Sequence, residues 1–207
     1  MKKKTVLALL MATLLTGGVF AQISMSAGVG GSFSMHMTDY SRPDYDDPKP
    51  IVGGGFNAFF DATYAMVKVG MFIGGDSREI DWGTGNKVTM KMTYNYLSLG
   101  LLGKYPIDLG GFTLFPMLGF EYNMFLSGEM EAGGTVETLE ISPDLDMFIL
   151  QFGVGVDFNL TDKIYLRPSL LWGIDFSSSE RDEPFKVNNG AVFKHKLDIG
   201  IAVGFKF

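Results

Sequence analysis

The stretch Leu197-Asp198-Ile199-Gly200-Ile201-Ala202-Val203-Gly204-Phe205-Lys206-Phe207 decides how the rest of the chain is read. Leu197, Ile199, Ile201, Val203, Phe205 and Phe207 are large and apolar, while Asp198, Gly200, Ala202, Gly204 and Lys206 are small or charged. Side chains leave an extended strand on alternate faces, so this segment has one greasy face and one polar, uncrowded face. The greasy face holds only aliphatic and aromatic residues, and the chain is full of similar segments. That pattern points to lipid against the strand rather than a soluble core.

Working outward, eight segments read as strands: 22–37, 51–60, 64–75, 89–105, 112–126, 147–160, 164–176 and 193–207. The sixth is very clean, with Phe148, Leu150, Phe152, Val154, Val156 and Phe158 opposing Gln151, Gly153, Gly155, Asp157 and Asn159. The links alternate in length. Those at 61–63, 106–111 and 161–163 are tight turns, whereas 38–50, 76–88, 127–146 and 177–192 are long. Sorting of short turns to one end and long loops to the other predicts an all-β fold. Specifically, it predicts an eight-stranded antiparallel transmembrane up-and-down β-barrel, closed between the first and last strands, with both termini periplasmic. Only a closed ring satisfies the backbone of a strand in hydrocarbon.

Residues 1–21 read as a cleaved signal peptide: Lys2, Lys3 and Lys4, then an apolar run, then Val19-Phe20-Ala21 before the cut. The barrel domain is then 22–207. No cysteine is present for a lipid anchor or a disulfide. Without the three signal lysines, 14 basic residues face 23 acidic ones, a net charge of −9, which argues against a nucleic-acid partner. By these boundaries the long loops carry −10 and the rest of the mature chain +1, and the acidic groups Asp39, Asp44, Asp46, Asp47, Glu129, Glu131, Glu137, Glu140, Asp144 and Asp146 read as solvated outer loops. No cofactor or metal motif emerges.

Aromatic residues gather near the strand ends. Phe59, Phe60, Tyr64, Tyr105, Phe112, Phe158, Tyr165, Phe205 and Phe207 lie by the short turns, and Tyr94, Tyr96, Tyr122, Phe125, Phe148, Trp172 and Phe176 towards the long loops, as two interfacial belts would require. In the fourth strand the apolar face changes parity between Tyr96 and Leu97, which predicts a β-bulge near Tyr96 or inward-facing tyrosines. Pro116 and Pro168, inside the fifth and seventh strands, mark wall irregularities because each removes a backbone donor.

The small-residue face carries Lys68, Lys104, Glu121, Gln151, Asp157, Arg167, Asp175, Lys196 and Asp198. Eight strands enclose an interior that side chains just fill. These groups, together with Phe115 and Tyr165, therefore read as a polar network crossing the lumen.

The chain resembles the small eight-stranded outer-membrane barrels of the OmpA-transmembrane, OmpX and OmpW-like group. The resemblance rests on the Ala21 signal site, the 197–207 strand, and the segments Phe115-Pro116-Met117-Leu118-Gly119-Phe120 and Leu166-Arg167-Pro168-Ser169-Leu170. It implies recognition of the terminal aromatic strand by the barrel-assembly machinery, a place in outer-membrane lipid, and a structural or surface-interaction role with an extracellular ligand or host molecule as partner. It also leaves open a narrow channel or a lateral-exit carrier for small polar or hydrophobic solutes. A secreted lipocalin-like barrel, with its apolar face turned inward, is the rival fold. Catalysis is not expected: His36, near Ser34 and Asp39, forms the sole Ser/His/Asp grouping, and palmitoyl-transferring barrels carry a helix before their first strand.

Overall fold

The computed structural model describes residues 24–40, 50–81, 87–139, 145–177 and 192–207. The expected signal segment 1–21 lies outside them, as do Asp44, Asp46, Asp47, Glu140 and Asp144. Eight strands form the wall: β1 (Met25–Tyr40), β2 (Ile51–Ala62), β3 (Ala65–Asp81), β4 (Lys87–Lys104), β5 (Phe112–Ala132), β6 (Met147–Asn159), β7 (Ile164–Asp175) and β8 (Val192–Lys206). Each pairs antiparallel with the next, and β1 pairs with β8 from Ser26↔Lys206 to Tyr40↔Val192, so the ring is closed. Two short segments add to it, Ile107–Asp108 in the β4–β5 turn and Thr135–Leu139 beside the end of β5.

The apolar faces point outward all round the ring. Val29, Phe56, Leu101, Leu118 and Ile201 are each more than half exposed, alongside many other large apolar side chains. A water-soluble monomer does not carry a continuous belt of that kind. β6, at 13 residues, rises roughly 33 Å across a tilted wall, enough for the ~25 Å apolar band of a transmembrane barrel. The lipocalin alternative is thereby corrected: the apolar side chains line the outside, and the lumen holds the charges.

Several sequence expectations change. The links 76–88 and 127–146 are largely strand. β3 and β4 stay paired from Asp76↔Met92 to Asp81↔Lys87, and β5 runs on to Ala132 before Thr135–Leu139 returns along it. Hydrophobic alternation fades where the wall meets water, but the backbone ladder does not need it. The turn at Gly133-Gly134, with φ of +59° and +85°, is the two-residue type I′ connection that closes such a hairpin. At the other end, the β2–β3 turn is Thr63-Tyr64 and begins two residues later than expected, which returns Asp61 to the wall.

The irregularity near Tyr96 lies on the partner strand. Asn95 pairs with Ser127 and Tyr96 with Phe125, which leaves Leu126 as the extra residue. β4 keeps one parity throughout, with Tyr94 and Tyr96 turned inward. β5 changes parity, so its inward face passes from Phe125 to Gly128. Asp146, just before β6, fastens this point by accepting the Phe125 N–H at 2.8 Å and the Tyr122 hydroxyl.

The aromatic belts are likewise thinner than expected. Phe60, Tyr64, Tyr105, Phe158, Phe205, Phe207, Tyr122, Phe148 and Phe176 are exposed at the outer surface. Phe59, Tyr165, Tyr96 and Phe125 are buried in the lumen, because strand parity rather than height decides the face.

Candidate functional site: the barrel lumen

Near the short-turn end, Arg167 on β7 crosses the lumen. Its Nε donates to Asp157 Oδ1 at 2.6 Å and its Nη2 to Asp157 Oδ2 at 2.8 Å, a two-pronged pair. Nη2 also lies 2.6 Å from Asp61 Oδ2, and Lys104 Nζ sits 2.8 Å from both Asp61 oxygens. Three rings surround the guanidinium: Phe59 at 4.9 Å, Phe115 at 4.7 Å and Tyr165 at 4.9 Å.

Glycines make that cage possible. Phe59 lies across from Gly28, Phe115 from Gly155, and Tyr165 from Gly204. A Cβ at Gly28 would fall 2.7 Å from Phe59 Cε1, one at Gly155 2.6 Å from Phe115 Cζ, and one at Gly204 2.6 Å from Tyr165 Cε1. Each ring therefore lies flat over a bare backbone on the neighbouring strand, and the three point towards one cation. The Tyr165 hydroxyl is tied to Ser26 Oγ at 2.8 Å.

Further towards the long loops lies a second layer. Glu121 on β5 holds Lys68 at 3.1 Å, accepts from Gln151 Nε2 at 3.1 Å, and pairs with Lys196. Lys196 also contacts Asp198 at 2.9 Å, and the Ser34 hydroxyl donates to Asp198. Each layer sets two cations against two carboxylates, so each is formally neutral. Between them is a cavity of about 40 Å³ lined by Asn57, Lys68, Met117, Arg167, Ser169 and Asp198 among others, space for about three waters. Above the second layer Phe72, Tyr96 and Phe125 pack together, with Ile51, Tyr94, Leu145 and Met147 against them.

Of the nine expected lumen residues, eight meet in these two layers. Asp175 does not. It accepts the Ser177 N–H at 2.8 Å and the Ser177 hydroxyl, closing a local turn at the outer end of β7. Asp61 was missed because it was assigned to a turn. Its signal was the parity of β2, which puts Gly53, Gly55, Asn57, Phe59 and Asp61 on one face. Ser26 and Ser34, both buried on β1, also fall outside the expected network. Ser34 engages Asp198 rather than His36, whose ring lies 5.2 Å from the Phe72 ring and is tilted 40° to it.

In the terminal strand, Ile199, Ile201, Val203, Phe205 and Phe207 face outward and are exposed, while Leu197 is half-buried opposite Met35 and Trp172. The two prolines differ. The β5–β6 ladder runs through Pro116, whose carbonyl accepts the Tyr105 N–H at 3.2 Å just beyond the last β4–β5 pair, Lys104↔Met117. The β6–β7 ladder is interrupted at Pro168.

No protein-family profile matches the chain, and no curated protein does. Among solved structures, the chain is similar to Neisserial surface protein A, with TM-score 0.52 and 13% identity over 87% of this chain and 97% of that one. It is also similar to the outer membrane protein OprG from Pseudomonas aeruginosa, with TM-score 0.49 and 13% identity over 89% and 96%. A third is Ail, the attachment invasion locus protein of Yersinia pestis, in complex with the heparin analogue sucrose octasulfate, with TM-score 0.43 and 12% identity over 88% and 99%. The fold of this chain is that of a small eight-stranded barrel of the outer-membrane kind.

Proposed function

We propose that this protein is a closed outer-membrane barrel with a structural and surface-presenting role, exported by loss of residues 1–21 and inserted into outer-membrane lipid by the barrel-assembly machinery acting on the 197–207 strand. The observation that carries this reading is the lumen. Two neutral ion-pair layers and an aromatic cap stand in series, and the cavity between the layers is about 40 Å³. A hydrated ion passing through would have to displace salt bridges that are buried and mutually satisfied. The part offered to an extracellular ligand or host molecule is the paired extension of β3, β4 and β5 with the Gly133-Gly134 hairpin, where residues 133–138 are all exposed. Loops are where such recognition is carried.

Single-channel recording in planar bilayers tests the closed lumen. The wild-type protein is expected to give no reproducible conductance step, and a steady step above baseline overturns the reading in favour of a conduit. Mass spectrometry of protein from the outer-membrane fraction checks export, with Gln22 expected as the first residue.

A further inference from the structure

The β6–β7 seam has a feature that neither plug layer accounts for. Phe176 donates its N–H to Phe148 O at 2.8 Å, which sets the even residues of β6 as those bonding β7. In that register Val156 faces Pro168, whose nitrogen has no hydrogen. The ladder accordingly runs from Ile149↔Asp175 to Gly155↔Ser169, stops, and resumes at Phe158↔Leu166. The missing rungs are Val156/Pro168 and Asp157/Arg167. β7 remains continuously paired with β8 through Pro168↔Ile201, so the interruption is confined to one side.

A carbonyl without its donor in the wall of a membrane barrel is costly, because lipid offers no replacement. The two-pronged Arg167–Asp157 pair joins these strands at the interrupted position itself. Its rigid fork is held on three sides by Phe59, Phe115 and Tyr165 and on the fourth by Asp61. Arg167 also forms one wall of the lumen cavity, so the same side chain separates the seam from the internal space.

We propose that the Arg167–Asp157 pair is a side-chain latch that takes the place of the backbone rung lost to Pro168, making the β6–β7 seam the joint at which this barrel wall yields first. The latch acts locally. The Ile149–Gln151 half of the seam has its full ladder and does not depend on it.

Amide hydrogen exchange of the protein in lipid nanodiscs tests this, with four variants. Asp157→Asn keeps the shape and removes the charge; it is expected to speed exchange of the Val156, Phe158 and Leu166 amides at least tenfold while Leu150 and Ile174 stay unchanged. Arg167→Lys keeps the charge but loses the fork, and is expected to act in the same direction. Should either fail to fold, the other carries the test. Pro168→Val restores the donor, and in that background Asp157→Asn is expected to change seam exchange less than threefold. Equal acceleration with and without Pro168→Val overturns the latch, as does acceleration spread evenly along β6 and β7, or none in the single variants.

Discussion

Removing the carboxylate at the centre of the upper layer is the sharpest test of how the lumen is held. Glu121→Ala deletes the acceptor for Lys68 at 3.1 Å, for Gln151 at 3.1 Å and for Lys196. Lys196 keeps Asp198 at 2.9 Å, whereas Lys68 keeps no salt bridge among the described residues. Glu121 is 1% exposed, so water does not simply take its place. Each hydrogen bond to a charged group contributes about 1.5–3 kcal/mol, but part of that sum is recovered as Lys196 turns fully to Asp198. The net cost should resemble the breaking of one buried pair, about 3–5 kcal/mol. Against a total stability of about 5–15 kcal/mol that is a large fraction. Urea titration in lipid vesicles, followed by tryptophan fluorescence, reads it directly. Adding Lys68→Met removes the stranded ammonium and should return at least half of the loss, since a buried pair replaced by apolar side chains is often close to neutral. A Glu121→Ala cost below about 1 kcal/mol, or a double variant weaker than the single one, refutes the account of the lumen as an interlocked charge layer.

Gly204→Ala should cost about 1–3 kcal/mol in the same titration, because the new Cβ overlaps the Tyr165 ring and forces it off Ser26. Ile201→Lys, at a position 56% exposed on the lipid face, should cost roughly 2–4 kcal/mol in vesicles, and a negligible effect would mean that this face does not meet hydrocarbon. Gly134→Val places a β-branched residue at φ of +85°; hydrogen exchange should accelerate in the 128–139 hairpin alone, with the vesicle unfolding midpoint unmoved.

Much of the fold was legible because a barrel in lipid reports itself through a period of two. The 197–207 segment alternates without a miss, and 148–158 breaks only at Ile149, since one side meets acyl chains and the other a crowded lumen. The outer half was less legible for a physical reason. Above the lipid, neither face of β3 or β5 must be greasy, so Asp76, Ser77, Glu129 and Glu131 look like loop while lying in paired strand. The switch of apolar face at Tyr96 reflects tyrosines turned inward on a strand that keeps one parity, whereas the bulge itself lies on β5 and needs the partner's register, in which Leu126 is the extra residue. In the lumen, parity identified which charges share an interior but not which of them touch. Asp175 and Asp157 are both charged members of the small-residue face, yet only Asp157 lies at the height of Arg167. Asp61 shows the converse, since a turn begun two residues early removes an interior carboxylate from view.

The arrangement of small and large residues explains why the lumen closes in layers rather than tapering uniformly. A ring that lies over a cross-strand glycine takes up the height of one residue on two strands. Gly28 with Phe59, Gly155 with Phe115, and Gly204 with Tyr165 do this at the same level, which leaves a hole just large enough for a planar cation. Arginine fills it because its guanidinium stacks on ring faces and reaches two carboxylates with a fork, which a lysine ammonium does not. The upper layer lacks such rings and is built instead from flexible lysines around Glu121, so it depends on charge where the lower layer depends on shape. Barriers in series are limited by the tallest, so loosening the Glu121 layer alone leaves the caged arginine as a seal, and stability and conductance should respond separately to the same substitution.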